Sequence, residues 1–219
     1  LTAALGSLAE VRSLAGRIRS YAQQVDVLVN NAGTFTATRR ETVDGIETQL
    51  AVNGLAAFAL TCLLLPALRE APAARIVTVS SGSHFSGRIR GNDIGLRRGY
   101  NGLTAYNQSK LATVLFTREL ARRLGPMSHV DTFAVDPGLV KTDIGVKGNN
   151  ALVRLAWRIR TRKGIAAAEA ARSVAWCAND PSVRGDTGLY WKERRQRASS
   201  SRSLDHDDGG DPPLDGTFR

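Results

Sequence analysis

Apolar positions recur along this chain with two alternating periods. Leu8, Val11, Leu14, Ala15 and Ile18 fall three or four apart and predict an amphipathic helix. Ser7 precedes them and Glu10 follows three positions on, the signature of a capped helix start. The β-branched run VDVLV (25–29) stops at NNAG and predicts a buried strand running into a loop. A long helical pattern follows over 44–69, with Pro66 expected to bend or break its end. RIVTVSS (75–81) predicts a second strand, and Thr104 is expected to cap a helix reaching Leu124. VDTFAV (130–135) predicts a third strand, ended by DPG. A basic amphipathic stretch (152–163), a helix over about 166–178 and a last strand, GLYW (188–191), complete the pattern.

Strands alternating with helices of this length predict an α/β fold: a Rossmann-like, doubly wound parallel sheet. Ligands of such sheets sit beyond the carboxyl ends of the strands. Here those ends are NNAG, SSGS and DPG, three polar, glycine-containing stretches that mark one candidate site. The periodic pattern occupies 1–191. From Lys192 it gives way to a charged run that turns from basic to acidic, expected to be a disordered tail (192–219).

The chain has 219 residues and is 42% hydrophobic, enough for one domain with a sizeable core. Cys62 and Cys177 lie far apart in apolar helical contexts and read as buried free thiols. The longest apolar run, 58–68, is shorter than a bilayer span, and no targeting segment is visible; a cytoplasmic protein is the expectation. Much of the net charge of +10 is local, with five basic residues in 154–163 and five more in 191–202. No zinc-finger or RNA-binding signature accompanies them, which argues against a nucleic-acid partner. A solvated face, or a weak membrane-surface patch near Trp157, accounts for the charge instead.

Tyr106 and Lys110 lie four apart in the helix over 104–124 and so share a face. A tyrosine titrates near pH 10 in water, and a neighbouring ammonium favours its phenolate. Such a pair can pass a proton to or from a substrate oxygen. Ser81, at the end of a neighbouring strand, can orient the same oxygen.

The order NNAG (30–33), Asn53 in a long helix, VSS ending at Ser81, YNQSK (106–110) and PGLVKT (137–142) resembles the short-chain dehydrogenases/reductases. The long loop before Tyr106, Ser83-His84 after the serines and the sequence following Tyr106 resemble the retinol-dehydrogenase-like branch, which includes the WW-domain oxidoreductase. The resemblance implies an NAD(P)-dependent oxidoreductase that moves a hydride between nicotinamide and a carbonyl or alcohol. It implies Tyr106 as acid/base, Lys110 as its tuning partner and ribose holder, Ser81 as orienter and Asn53 as support for a proton relay. Asn31, Ala32 and Gly33 would meet the adenosine side of the cofactor. Pro137, Gly138, Val140 and Thr142 would meet the nicotinamide and phosphates. NADP is slightly favoured over NAD, the implied substrate is an apolar alcohol or carbonyl, and homo-oligomerisation through the helices over 44–69 and 104–124 is a family-level expectation. Many relatives have His or Asn where this chain has Asp136. Ser80 and His84 are expected to be structural or solvated.

The glycine-rich turn TGxxxGxG that opens the family's dinucleotide fold does not precede NNAG here. Its strand–helix–strand units need on the order of 60 residues, and only 29 lie upstream. Ala4-Leu5 stands where relatives often carry Asp-Leu. An N-terminal truncation with a shifted reading frame at the other end would account for both anomalies. The strand over 25–29 is then an apolar sheet edge. The rival reading is an inactive remnant without a dinucleotide site, acting, if at all, by pairing through that edge.

Overall fold

The computed structural model describes residues 1–142, 144–146 and 149–201. In order, the elements are α1 (Leu8–Tyr21), β1 (Val27–Asn30), α2 (Ala56–Arg69), β2 (Ala74–Val79), α3 (Gly102–Leu124), β3 (Val130–Asp136), α4 (Ala151–Thr161), α5 (Ala167–Asn179), β4 (Leu189–Lys192) and β5 (Arg195–Arg197). The strands form one sheet in the order β1-β2-β3-β4-β5. The first four are parallel, as helical crossovers require, and β5 turns back antiparallel on β4.

Side-chain alternation sends successive strand residues to opposite faces. Ile76 and Val130 pack with Ala15, Leu64, Leu68 and Leu120 of α1, α2 and α3. Val77, Phe133 and Val135 point the other way, onto Cys177 and Ala178 of α5 and Trp191 of β4. The sheet is therefore covered on both faces, the predicted doubly wound arrangement. Cys62 and Cys177 are free thiols, raised by burial to about 11 and about 12.

Several local expectations change. Ser7 caps α1 by accepting from Glu10 N–H, but its own N–H goes to Ala4 O. The helix expected from residue 44 starts later. Asp44 lies outside it and accepts the Leu8 N–H at the start of α1, 2.8 Å away. Leu50–Leu55 is a π-helical segment leading into α2, and α2 runs through Pro66 without ending. Pro66 sits on the exposed side of the last turns, where water can serve the carbonyl its ring leaves unbonded. Together Leu50–Arg69 is longer than the apolar run read from sequence. Its 20 residues are apolar enough to cross a membrane by length and composition, yet half of its most apolar window is buried inside the protein. Asn101, not Thr104, caps α3, accepting from Leu103 and Thr104 N–H at 3.0 Å each.

The first part of the expected tail is ordered. Lys192 completes β4, Glu193 and Arg194 make a turn with positive φ, and β5 follows. The rest of the tail, 202–219, lies outside the described residues.

Candidate active site

The register leaves the carboxyl ends of β1, β2 and β3 level, with Asn30 opposite Thr78 and Val79 opposite Val135. Asn31, Ala32 and Gly33 leave β1, Ser80 and Ser81 leave β2, and Pro137, Gly138 and Val140 leave β3. All of them line one cavity of about 650 Å³, together with Tyr106, Lys110 and Thr142. Of the residues selected from sequence, Asn53 alone is not on that wall. It is buried behind it, with its Oδ1 accepting Thr34 N–H (2.7 Å) and its Nδ2 donating to Thr34 O (3.0 Å) and Ser109 Oγ (2.9 Å). Asn53 thus clamps the chain leaving β1 to the underside of α3. It sits in the π-helical segment, where the widened turn re-aims a side chain.

Tyr106 and Lys110 project from one face of α3, with Lys110 Nζ 5.8 Å from the Tyr106 ring centre. Lys110 is 3% exposed and donates to Val79 O at 2.8 Å. Burial lowers its pKa from 10.5 to about 8, and the negative charge of Asp136 opposes that fall. Asp136 is itself buried at the end of β3. Its Oδ1 accepts Gly138 N–H (2.9 Å), its Oδ2 accepts the Tyr190 hydroxyl (3.0 Å), and Lys192 Nζ stands 3.8 Å from it. The residue that departs from the family pattern is therefore the counter-charge of the buried lysine. Gly138, at φ 81°, makes the left-handed turn that carries the chain from β3 across the cavity.

Ser81 is extended, its Oγ accepting Ser83 N–H (3.2 Å) at the cavity wall. Its carbonyl accepts from His84 Nδ1, 2.8 Å away, and His84 Nε2 accepts Ser200 N–H (3.2 Å). One nitrogen donates and the other accepts, so this is the neutral imidazole. His84 is fully buried between Phe85 and Tyr190 and is structural, as expected. Ser80 is structural too, donating to Lys110 O at 2.9 Å.

The apolar wall was not selected from sequence. Phe35 meets Tyr106 edge-on and stacks on Trp157, with ring centres 5.9 Å apart in each case. Trp157 donates its indole N–H to Thr142 O at 2.9 Å, which ties α4 to the loop after β3. The one available signal was a tryptophan at an inward position of an amphipathic helix.

A family model described as short chain dehydrogenase matches residues 1–152, and the chain belongs to that family. Mouse retinol dehydrogenase 12 is 36% identical over 199 residues, 91% of this chain and 62% of the relative. Human retinol dehydrogenase 13 is 44% identical over 142 residues, 64% of this chain and 43% of the relative. These likenesses fall in the retinol-dehydrogenase-like branch. The chain spans less than two thirds of the length of both relatives. Among solved structures, a short chain dehydrogenase from Burkholderia cenocepacia in complex with NADP superposes with a TM-score of 0.65 at 27% identity, covering 88% of this chain and 73% of that one.

Proposed function

We propose that this chain carries the catalytic half of an NADP(H)-preferring oxidoreductase acting on an apolar carbonyl or alcohol. The observation that carries this reading is the convergence of Tyr106, Lys110 and Ser81 on one cavity whose remaining wall is largely apolar. The residues suit the nicotinamide-ribose end of a dinucleotide. Lys110 lines the cavity with more donors than its bond to Val79 uses. The backbone from Pro137 to Val140 edges the same space. A glycine-rich pyrophosphate turn ahead of β1 is not among the described residues. A bound nicotinamide supplies or accepts the hydride.

Within that reading, Tyr106 Oη holds the proton exchanged with the substrate oxygen. The positive charge of Lys110 stabilises the phenolate left behind and binds ribose hydroxyls. Ser81 Oγ orients the substrate oxygen, and Asn53 keeps the strand-end loop in place beneath α3. Phe35 and Trp157 keep water from the reacting carbon and give an apolar substrate its contact surface.

The test is a titration of the recombinant chain with NADPH, followed by quenching of tryptophan emission. Saturable binding retained in Tyr106→Phe, with NADPH oxidation on an apolar aldehyde lost in that variant, supports the assignment. Absence of saturable binding favours a second reading that the sheet edge supports. Val27 and Val29 of β1 are 38% and 41% exposed. In that reading the chain is an inactive module that pairs through β1.

A further inference from the structure

We propose that α4 is an interfacial helix that seats the mouth of the cavity on a membrane surface bearing anionic lipid headgroups. At about 100° per residue, Leu152, Leu155 and Ile159 fall within an arc of about 60°. They are 77%, 57% and 59% exposed. Val153, Trp157 and Thr161 take the opposite side of the helix; Thr161 is buried, and Trp157 forms part of the cavity wall. Arg154, Arg158 and Arg162 follow at intervals of four along one border of the apolar stripe, all exposed, with Lys163 after them. The sequence from 144 to 168 contains no Asp or Glu. Ile165 and the cavity-lining Leu139, joined by a 2.8 Å backbone hydrogen bond, are exposed as well.

Each simpler account of α4 leaves something over. A core helix would bury the stripe. A solvated basic helix has no reason to carry aliphatic side chains at three successive turn positions on its outer face. A second copy of this chain would bring arginine borders against arginine borders, at a net charge of +10 per chain. An anionic bilayer surface satisfies both halves: aliphatic side chains enter the acyl boundary while guanidinium groups stay at headgroup level. The inner side of the same helix borders the cavity, so a lipid-dissolved substrate has a short way in. Preferring a membrane to a water-soluble polyanion rests on the apolar-substrate reading above.

The experiment is vesicle flotation of the full chain, with no cofactor or substrate, on phosphatidylcholine vesicles with and without phosphatidylglycerol. Binding is expected on the anionic vesicles, falling with added salt and at least ~tenfold weaker in Leu155→Asp/Ile159→Asp. These positions are exposed, so the thermal melt followed by circular dichroism should be unchanged. Val29→Lys, on β1 and outside the α4 stripe, should bind like the parent. The proposal is overturned by no binding of the parent, by binding that survives Leu155→Asp/Ile159→Asp, or by binding lost in Val29→Lys. Tighter binding to duplex DNA that is indifferent to Leu155→Asp/Ile159→Asp would overturn it in favour of a polyanion. Failure of NADPH binding leaves the flotation result standing, so the two readings fail separately.

Discussion

Burying an ammonium is costly unless counter-charge and acceptors accompany it. Lys110 has one backbone acceptor and the Asp136 carboxylate nearby, and the balance still leaves its pKa at about 8. Removing that carboxylate in Asp136→Asn should move protonation of Lys110 lower still. A ¹⁵N NMR titration of the Lys110 Nζ checks this without requiring turnover, and an unchanged midpoint would break the link between the two residues. Between about 8 and the unfolded value of 10.5, the unfolded chain binds more protons than the folded one. The destabilisation from burying this charge is present in full below that window and is relieved as pH rises through it. His84 behaves differently. Burial holds its pKa below 6.5, so the stability its neutral form contributes is complete above 6.5 and is lost as pH falls through and below that value. Urea unfolding of the parent should therefore weaken from about pH 7 to about pH 5, with a flatter slope in His84→Asn. A parallel slope in that variant would assign the loss to other groups. Neither environment could be read from sequence. Asp136, Tyr190, His84 and Ser200 are brought together only by the β3–β4 pairing and the return of β5.

At the scale of elements, the apolar periods located all four parallel strands and the helices α1, α3 and α5 to within a few residues; α2 begins well after residue 44, and α4 is legible only as a basic amphipathic stretch. Boundaries set by single polar atoms were less visible. Asp44 reads as the start of a helix but serves α1 instead, and Asn101 and Thr104 are both competent caps until the fold selects one. The turn at Glu193-Arg194 carries no glycine, so nothing in the sequence announced β5. Of the site residues, those at strand ends were legible because chain order and strand ends coincide, whereas Phe35 and Trp157 come from segments with no motif. The approach of α3 to the loop after β1 depends on Gly102. A Cβ there would collide with the Thr36 carbonyl and lie 2.8 Å from Ala37 Cα, both of them backbone that cannot swing away. Gly102→Ala should push the start of α3 outward, displace Tyr106 and destabilise by about 1–3 kcal/mol. Urea denaturation measures the loss, and a variant as stable as the parent would mean that the loop yields freely.

For the molecule as a whole, the apolar open edge of the sheet is β1; the opposite edge, β5, is an exposed Arg-Gln-Arg run. Every parallel neighbour of β2, β3 and β4 is satisfied, while β1 pairs with β2 alone and leaves its other backbone edge unpaired within the described chain. Leu28 turns inward to the α1–α2 layer, but Val27 and Val29 face the side that α5 covers only in part. An unpaired backbone edge next to exposed valines recruits other strands. The chain at hand should therefore associate through β1 in a concentration-dependent way. A lysine at Val29 places a charge beside that edge without entering the core, so Val29→Lys should shift the population toward monomer in light scattering coupled to size exclusion. The same variant should unfold within about 0.5 kcal/mol of the parent, because the position is already partly in water. If it associates as strongly as the parent, the contact lies elsewhere than β1.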